Sequence, residues 1–385
     1  MFTKKEPKVS VCIPVFGTEK SLALCLESVA SQNFDGTEII VVDDGSFVKS
    51  AKFENNKIKM SSQKIVKDFK KNHKNQHLNI KFIQHEKNKG LVEARRSAVY
   101  EAEGKYIVFV DSDDTLPENA LKNLFAAAEK SGADIVHGKA NVCLEDSERY
   151  EMLEQKENLM LQLKKRFDDM NKKANSVFLG ELLERQIFDG FLLEANHCGF
   201  LWGKIFTREI CLEAFDKIPQ TFCIFGEDFL TYFFISLFAK KYFGINENVY
   251  NYFVNTGISS NKKIESIEEW QKVCSTASVF TILLSWIEEN FLAAEDSRLT
   301  EKFSAWAGGG VAEDVRLTED VRSTEKITVL TEEEKAAVKN MCRYYAKNNL
   351  AQLKESVAPH LYEEARAMLC EWWGEKMINS VENFV

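Results

Sequence analysis

Between Lys8 and Asn141 five apolar, β-rich runs alternate with helical segments. The runs are "KVSVCIPVF", "TEIIVVDDGS", "NIKFIQHE", "KYIVFV" and "ADIVHGKAN". After the first comes "GTEKSLALCLESVASQ", where Leu22, Leu26 and Val29 recur at helical spacing. "QKIVKDFKKN" is helix-like, "LVEARRSAVYEAEG" is a helix closed by Gly104, and "PENALKNLFAAAEKSG" starts near Pro117 and stops at Gly132. Strands alternating with helices dictate an α/β fold, a mostly parallel sheet flanked by helices. Ligands of such sheets sit at the carboxyl ends of the strands. Two acidic clusters fall at that edge: Asp43-Asp44, and Asp111, Asp113 and Asp114.

An Asp-x-Asp closing a buried strand can hold a hard divalent cation, Mn2+ or Mg2+, if phosphate oxygens complete its shell. Such an ion would neutralise charge developing on a leaving diphosphate. Capping of the next helix by Asp114 or Thr115 is the competing explanation. Three carboxylates in four residues exceed what a cap needs, and their repulsion favours a cation. Asp43 or Asp44 can accept a uracil imide N–H or a ribose hydroxyl, although Asp-Gly is also a common turn signal. In "FGEDFLTYFF", Glu227 and Asp228 lie among aromatic residues, which raises a carboxyl pKa and suits a general base. The same pair after Gly226 fits a helix start, the stronger reading of these residues alone.

In this order and at these intervals, "VSVCIPVFGTEKSLALCLESVASQNF", "EIIVVDDGS", "NKGLVEARRSA" and "EGKYIVFVDSDDTLPENAL" resemble the family 2 glycosyltransferases, which have the GT-A fold. The likeness is close over about residues 8–140 and weaker through "WGKIFTREI" and "GEDFLTYFF" to about 255. It implies transfer of a sugar from a nucleotide diphosphate donor, usually with inversion, to a glycan or lipid-linked hydroxyl. A UDP-sugar is the expected donor. By matching position, Pro14, Val15 and Phe16 would line the nucleoside pocket and Asp44 would contact the base. Glu19, Asp43, Gly90, Arg95, Asp111, Ser112 and Trp202 complete the expected nucleotide-sugar site. Asp111, Asp113 and Asp114 would hold the metal, and Asp228, or failing it Glu227, would deprotonate the acceptor. The chain has Phe16-Gly17 where the family often has Tyr-Asn, Arg95-Arg96 where it often has Arg-Asn, and a longer Lys-rich stretch after Ser46. These departures leave the donor base and sugar open. A nucleotidyltransferase would need a basic phosphate-gripping loop, for which "CIPVFGTEK" has too few glycines and cations. A non-catalytic nucleotide-sugar-binding or assembly protein would have no use for both metal and base carboxylates.

The net charge of −9 argues against a nucleic-acid partner. No apolar run approaches the roughly 20 residues of a membrane span. The N-terminus shows no secretory pattern, and nine cysteines scattered singly read as reduced thiols of a cytoplasmic protein. Residues 1–258 are expected to form the catalytic domain, with a helical insertion at 144–185, and residues 259–385 a helical C-terminal domain. A linker is expected around the triple glycine near Trp306. The tail tryptophans, Trp270, Trp286, Trp306, Trp372 and Trp373, suit a helical core, and a homodimer through these helices stays open. So does peripheral contact with the inner membrane face, for which residues 49–81 could supply a basic patch. Trp202 and Lys204 could meet sugar and phosphate or simply be core and edge, and His137 could be a further metal ligand, although a lone His is more often structural.

Overall fold

The structure, a computed structural model, describes residues 6–32, 34–46, 61–73, 79–144, 157–254, 263–306 and 329–382, with backbone only for 157–163 and 293–306. Much of the Lys-rich stretch, the start of the insertion, the triple-glycine linker and the boundary expected at 258 lie outside the described residues.

Strands β1 (Val9–Val15), β2 (Thr37–Asp43), β3 (Asn79–Gln84), β4 (Tyr106–Phe109) and β5 (Ile135–Leu144) are the five apolar runs. They join β6 (Gly180–Leu183), β7 (Lys204–Thr207) and β8 (Lys241–Val254) in one sheet of order β3-β2-β1-β4-β7-β5-β8-β6. β1 pairs in parallel with β2 and β4, β2 with β3, and β5 with β8. Two strands reverse: β7 is antiparallel to both β4 and β5, and β6 to β8. The reversal of β7 has a simple cause. Its chain enters from Trp202, which lies at the carboxyl edge of the sheet, so it can only run away from that edge.

Side-chain alternation sorts the sheet into two apolar faces. Cys12, Ile40, Val42, Ile107, Phe109 and Phe206 face one way, and Val11, Ile13, Ile39, Val41, Val108 and Ile205 the other. Helices α1 (Glu19–Ala30), α2 (Ser62–Asn72) and α4 (Ala120–Ser131) cover the second face. The first is covered by α3 (Leu91–Glu101), α6 (Arg185–Leu192), α7 (Arg208–Lys217) and α8 (Glu227–Phe238). The expected insertion contains α5 (Glu157–Ala174) but also β6, so it extends the sheet as well as forming a helical arm.

Beyond β8 the described chain is helical: α9 (Ile267–Cys274), α10 (Thr276–Trp306), α11 (Glu332–Ser356), a 3-10 turn (Pro359–Leu361), α12 (Tyr362–Trp373) and α13 (Glu375–Glu382). These helices continue the first cluster, in which Trp270, Phe280, Leu350 and Trp373 pack with Phe229 and Phe233 of α8. Trp270 Nε1 donates to Ala365 O at 2.8 Å and Trp373 Nε1 to Asn349 Oδ1 at 2.9 Å, so both indoles are satisfied inside the core. No helix among the described residues is long and apolar enough to cross a membrane.

Candidate active site

The carboxyl ends of β1, β2 and β4 open into a cavity whose wall also takes in residues from α5, α8 and β8. Pro14, Val15 and Phe16 at the end of β1 line it, as do Asp44, Gly90, Asp111, Ser112, Asp113, Trp202, Glu227 and Asp228. Most of the site residues expected from sequence are thus brought together.

Asp44 is fixed by its neighbours. Its Oδ1 accepts from Lys89 N at 2.9 Å and pairs with His85 Nδ1 at 2.7 Å, and its Oδ2 accepts from Gly90 N at 2.9 Å. The second oxygen keeps a lone pair for a donor on the cavity side. Gly90 makes this clamp possible. Its φ is +94°, and a Cβ there would come within 2.8 Å of Cys223 backbone atoms. Gly90→Ala is expected to cost roughly 1–3 kcal/mol and to weaken nucleotide binding. Urea unfolding with a nucleotide titration checks both.

Asp43, one residue earlier, points the other way. Its Oδ1 accepts from Ser46 N at 2.7 Å and its Oδ2 bonds the Ser62 hydroxyl. Asp43 is buried and holds the turn and the start of α2 together, outside the cavity wall. Its expected donor contact is corrected to a structural one. Glu19, the first residue of α1, is half-buried and likewise stands outside the wall.

Asp114 also departs from expectation. Its Oδ2 accepts from the Tyr250 hydroxyl at 2.9 Å and its Oδ1 from Phe253 N at 2.8 Å. It reaches the cavity wall, yet is buried with both oxygens engaged, so it anchors the loop to β8. Burial above all, and then the charges of Asp113 and Asp111, push its carboxyl well above the usual range. Tyr250 OH also accepts from Asp111 N at 3.0 Å, which locks the turn that presents Asp111 and Asp113.

Arg95 is buried beneath the cavity rather than in its wall. Its Nη1 reaches Asp228 Oδ1 at 2.7 Å and Glu227 Oε1 at 3.4 Å, and its Nη2 reaches Asp111 Oδ1 at 3.1 Å. One guanidinium therefore ties the loop after β4 to the first turn of α8. It positions carboxylates where sequence had suggested a donor contact. Arg96 bonds Glu93 and the Phe215 and Ile218 carbonyls, so it faces neither diphosphate nor open solvent.

Three carboxylates share this one cation. The Glu227 carboxyl is pushed up to about 8, by burial first and then by the charge of Asp228, with Arg95 opposing. Asp228 is raised too, again chiefly by burial, with Arg95 holding it down. The folded state grips the Glu227 proton more tightly than the unfolded chain does. Its contribution to stability is thus complete below the ordinary Glu value of 4.5 and is lost as pH rises through about 8. Glu227→Gln removes that loss, and the melting temperature of the variant is expected to fall less across this window than that of the wild type.

The opposite wall is aromatic. Trp202 stacks with Phe200 at 4.6 Å, Tyr250 at 4.8 Å and Tyr252 at 5.3 Å between ring centroids. Trp202 is both core and cavity wall, which unites its two sequence readings. Lys204 is buried, donates to Phe200 O at 2.5 Å and stands outside the wall, so it does not grip phosphate. His137 lies near the start of β5 and bonds the Tyr242 hydroxyl at 2.9 Å, which makes it a core histidine. Sequence reasoning missed Thr18, Asn88, Met170, Phe200 and Tyr252, all of which line the cavity. Alternation in "NVYNYF" was the one available signal for a strand carrying Tyr250 and Tyr252.

Carboxylates and an aromatic wall thus meet at the carboxyl edge of a mostly parallel sheet. Residues 10–191, just under half of the chain, match the model of glycosyl transferase family 2. Glycosyltransferase GlyG of Streptococcus pneumoniae is 31% identical over 131 residues, which are 34% of this chain and 38% of that protein. Glycosyltransferase GlyA of the same organism is 26% identical over 255 residues, 66% of this chain and 31% of that protein. The chain thus spans about a third of the length of these two relatives. S. aureus TarS residues 1–349, solved in complex with UDP-GlcNAc, is 20% identical with a TM-score of 0.48, covering 98% of this chain and 92% of that one.

Proposed function

We propose that the chain moves a sugar from a nucleoside diphosphate donor, expected to be a UDP-sugar, to a hydroxyl of a glycan or lipid-linked acceptor, with inversion. The observation that carries this reading is the Arg95 bridge, which sets Asp111 and Asp228 on one cavity with a single cation between them. The nucleoside lies against Pro14, Val15 and Phe16, with Asp44 Oδ2 accepting from the base. The catalytic unit runs to about residue 258, and the helices beyond it close the acceptor side. A cytoplasmic location, at the inner membrane face for a lipid-linked acceptor, accompanies this reading.

Asp111 and Asp113 fit Mn2+ or Mg2+ as a partial ligand set. Both offer only hard oxygen donors at the cavity wall. Among the described residues no group of three or more His, Cys, Asp or Glu side chains is arranged to hold an ion. That suits an ion whose shell the diphosphate completes. When bound, it supplies charge neutralisation for the departing diphosphate. The protein supplies the rest. Asp228, kept the more ionised of the acidic pair by its short Arg95 contact, takes the acceptor proton at its carboxylate. Glu227 retains its own proton and so spares Asp228 a second negative neighbour. Trp202 and Tyr252 exclude water from one side of the sugar.

Incubation with UDP-, GDP- and CDP-sugars, following nucleoside diphosphate release with and without acceptor, tests the reading. Release from one donor class is expected. If no donor is bound or consumed, the proposal fails.

A further inference from the structure

Lys204, the first residue of β7, is fully buried. A lysine is rarely buried to that degree without a carboxylate in contact, because its ammonium gives up its water. Here the neighbours of Nζ are Phe200 O at 2.5 Å, Cys198 Sγ at 3.7 Å and the face of the Tyr232 ring, 5.1 Å from its centroid. None of them is a carboxylate. A methionine would fill much the same space without the cost of desolvating a charge.

The contacts suit an ammonium, which has a donor for each of these three acceptors and no lone pair to fill. Cys198 Sγ also lies 3.6 Å from His137 Nε2, which can accept its S–H and leave a sulfur lone pair for Lys204. Burial above all, and then the charge of Lys204, push His137 and His197 down, His197 to about 3. Both rings are thereby favoured in their neutral form. Burial pulls the Lys204 amine down as well, opposed by Cys198 and Asp228.

Two parts of the site meet at this amine. Phe200 stacks on Trp202, and both belong to the aromatic wall of the cavity. Tyr232 lies on α8 four residues after Asp228, so the two share one side of the helix, a turn apart. Lys204 and Asp228 therefore act on each other at a distance, each favouring the charged form of the other.

We propose that Lys204 is a positioning residue of the transfer reaction, which ties the Phe200–Trp202 wall to the side of α8 that carries Asp228 and sets a positive charge behind that carboxylate. Arg95 ties α8 to the loop after β4; Lys204 ties it to the wall. The gap between wall and base decides where an acceptor hydroxyl can sit, so a shift there costs turnover. The nucleoside end, with Pro14, Val15, Phe16 and Asp44, is built without Lys204. The inference rests on the transferase reading above.

Lys204→Met and Lys204→Gln in the full chain test it, by transfer kinetics beside nucleoside diphosphate titration and thermal unfolding. Methionine is close to lysine in length and uncharged, and glutamine keeps an N–H donor without the charge. Both variants should bind the nucleoside diphosphate of the donor, UDP on the expected reading, as the wild type does. Donor KM should change little, while kcat falls about 10- to 100-fold. Lys204→Met should melt no lower than the wild type, since it removes a desolvated charge. Turnover lost with stability and nucleotide binding kept is a split that a packing defect does not give. Wild-type kcat in either variant would leave the charge without a role and overturn the proposal. A fall in kcat matched by a lower melting temperature and weaker nucleotide binding would also overturn it, by making Lys204 purely structural. A wild-type protein that transfers sugar from no UDP-, GDP- or CDP-sugar sinks the transferase reading itself, and this inference with it.

Discussion

Asp228→Asn is expected to lower kcat for sugar transfer by about 10² to 10⁴, the usual contribution of a general base, while donor KM changes little. The side chain stays isosteric and Arg95 keeps a partner, so the fold should survive. Two features single out Asp228 over Glu227. It makes the shorter contact with Arg95, 2.7 Å against 3.4 Å, which favours its ionised form. Burial and the charge of Asp228 push the Glu227 carboxyl up to about 8, which favours its protonated form. Glu227→Gln should therefore keep most of the activity that Asp228→Asn loses. The reverse ranking, measured as kcat with saturating donor, would move the base to Glu227.

Arg95→Met is expected to be the most destabilising single change at the site, by roughly 3–5 kcal/mol, as for removal of one partner from a buried charge network. The variant leaves Asp111, Glu227 and Asp228 without their shared cation. Their repulsion should push the first turn of α8 away from the loop after β4, and transfer should fall with stability. Adding Asp228→Asn removes one of the stranded charges, so the double variant should recover part of the lost stability. That coupling is a readout which a simple packing defect would not give. Urea unfolding of the four proteins in the cycle measures it. Additive losses would mean that Arg95 and Asp228 do not act as a unit.

Much of the site was legible because strand ends in a parallel sheet converge on one edge. Asp44, Asp111 and Asp113 all follow apolar runs and all reach the cavity. What could not be read was where each carboxylate points once there. Asp43 and Asp44 are neighbours, and in extended chain neighbours face opposite ways. One clamps Gly90 and Lys89 while the other turns to Ser62. Asp114 looks like a third ligand in sequence, but its partners on β8 lie well over a hundred residues away, and no local pattern announces them. Arg95 likewise belongs to an ordinary amphipathic helix until α8 brings two acids to it. Strands β6 and β7, four residues each, are too short for alternation to show. The helical tail reads as a separate unit from its charge, whereas its apolar faces complete the core of the first sheet face.

Nucleoside diphosphate binding with and without a divalent ion bears most directly on the account. UDP should raise the melting temperature in Mn2+ and much less in EDTA, and Asp113→Asn should abolish the difference while leaving the ligand-free melting temperature near the wild-type value. Equal stabilisation by UDP in EDTA and in Mn2+, or an Asp113→Asn protein that responds like the wild type, would contradict it.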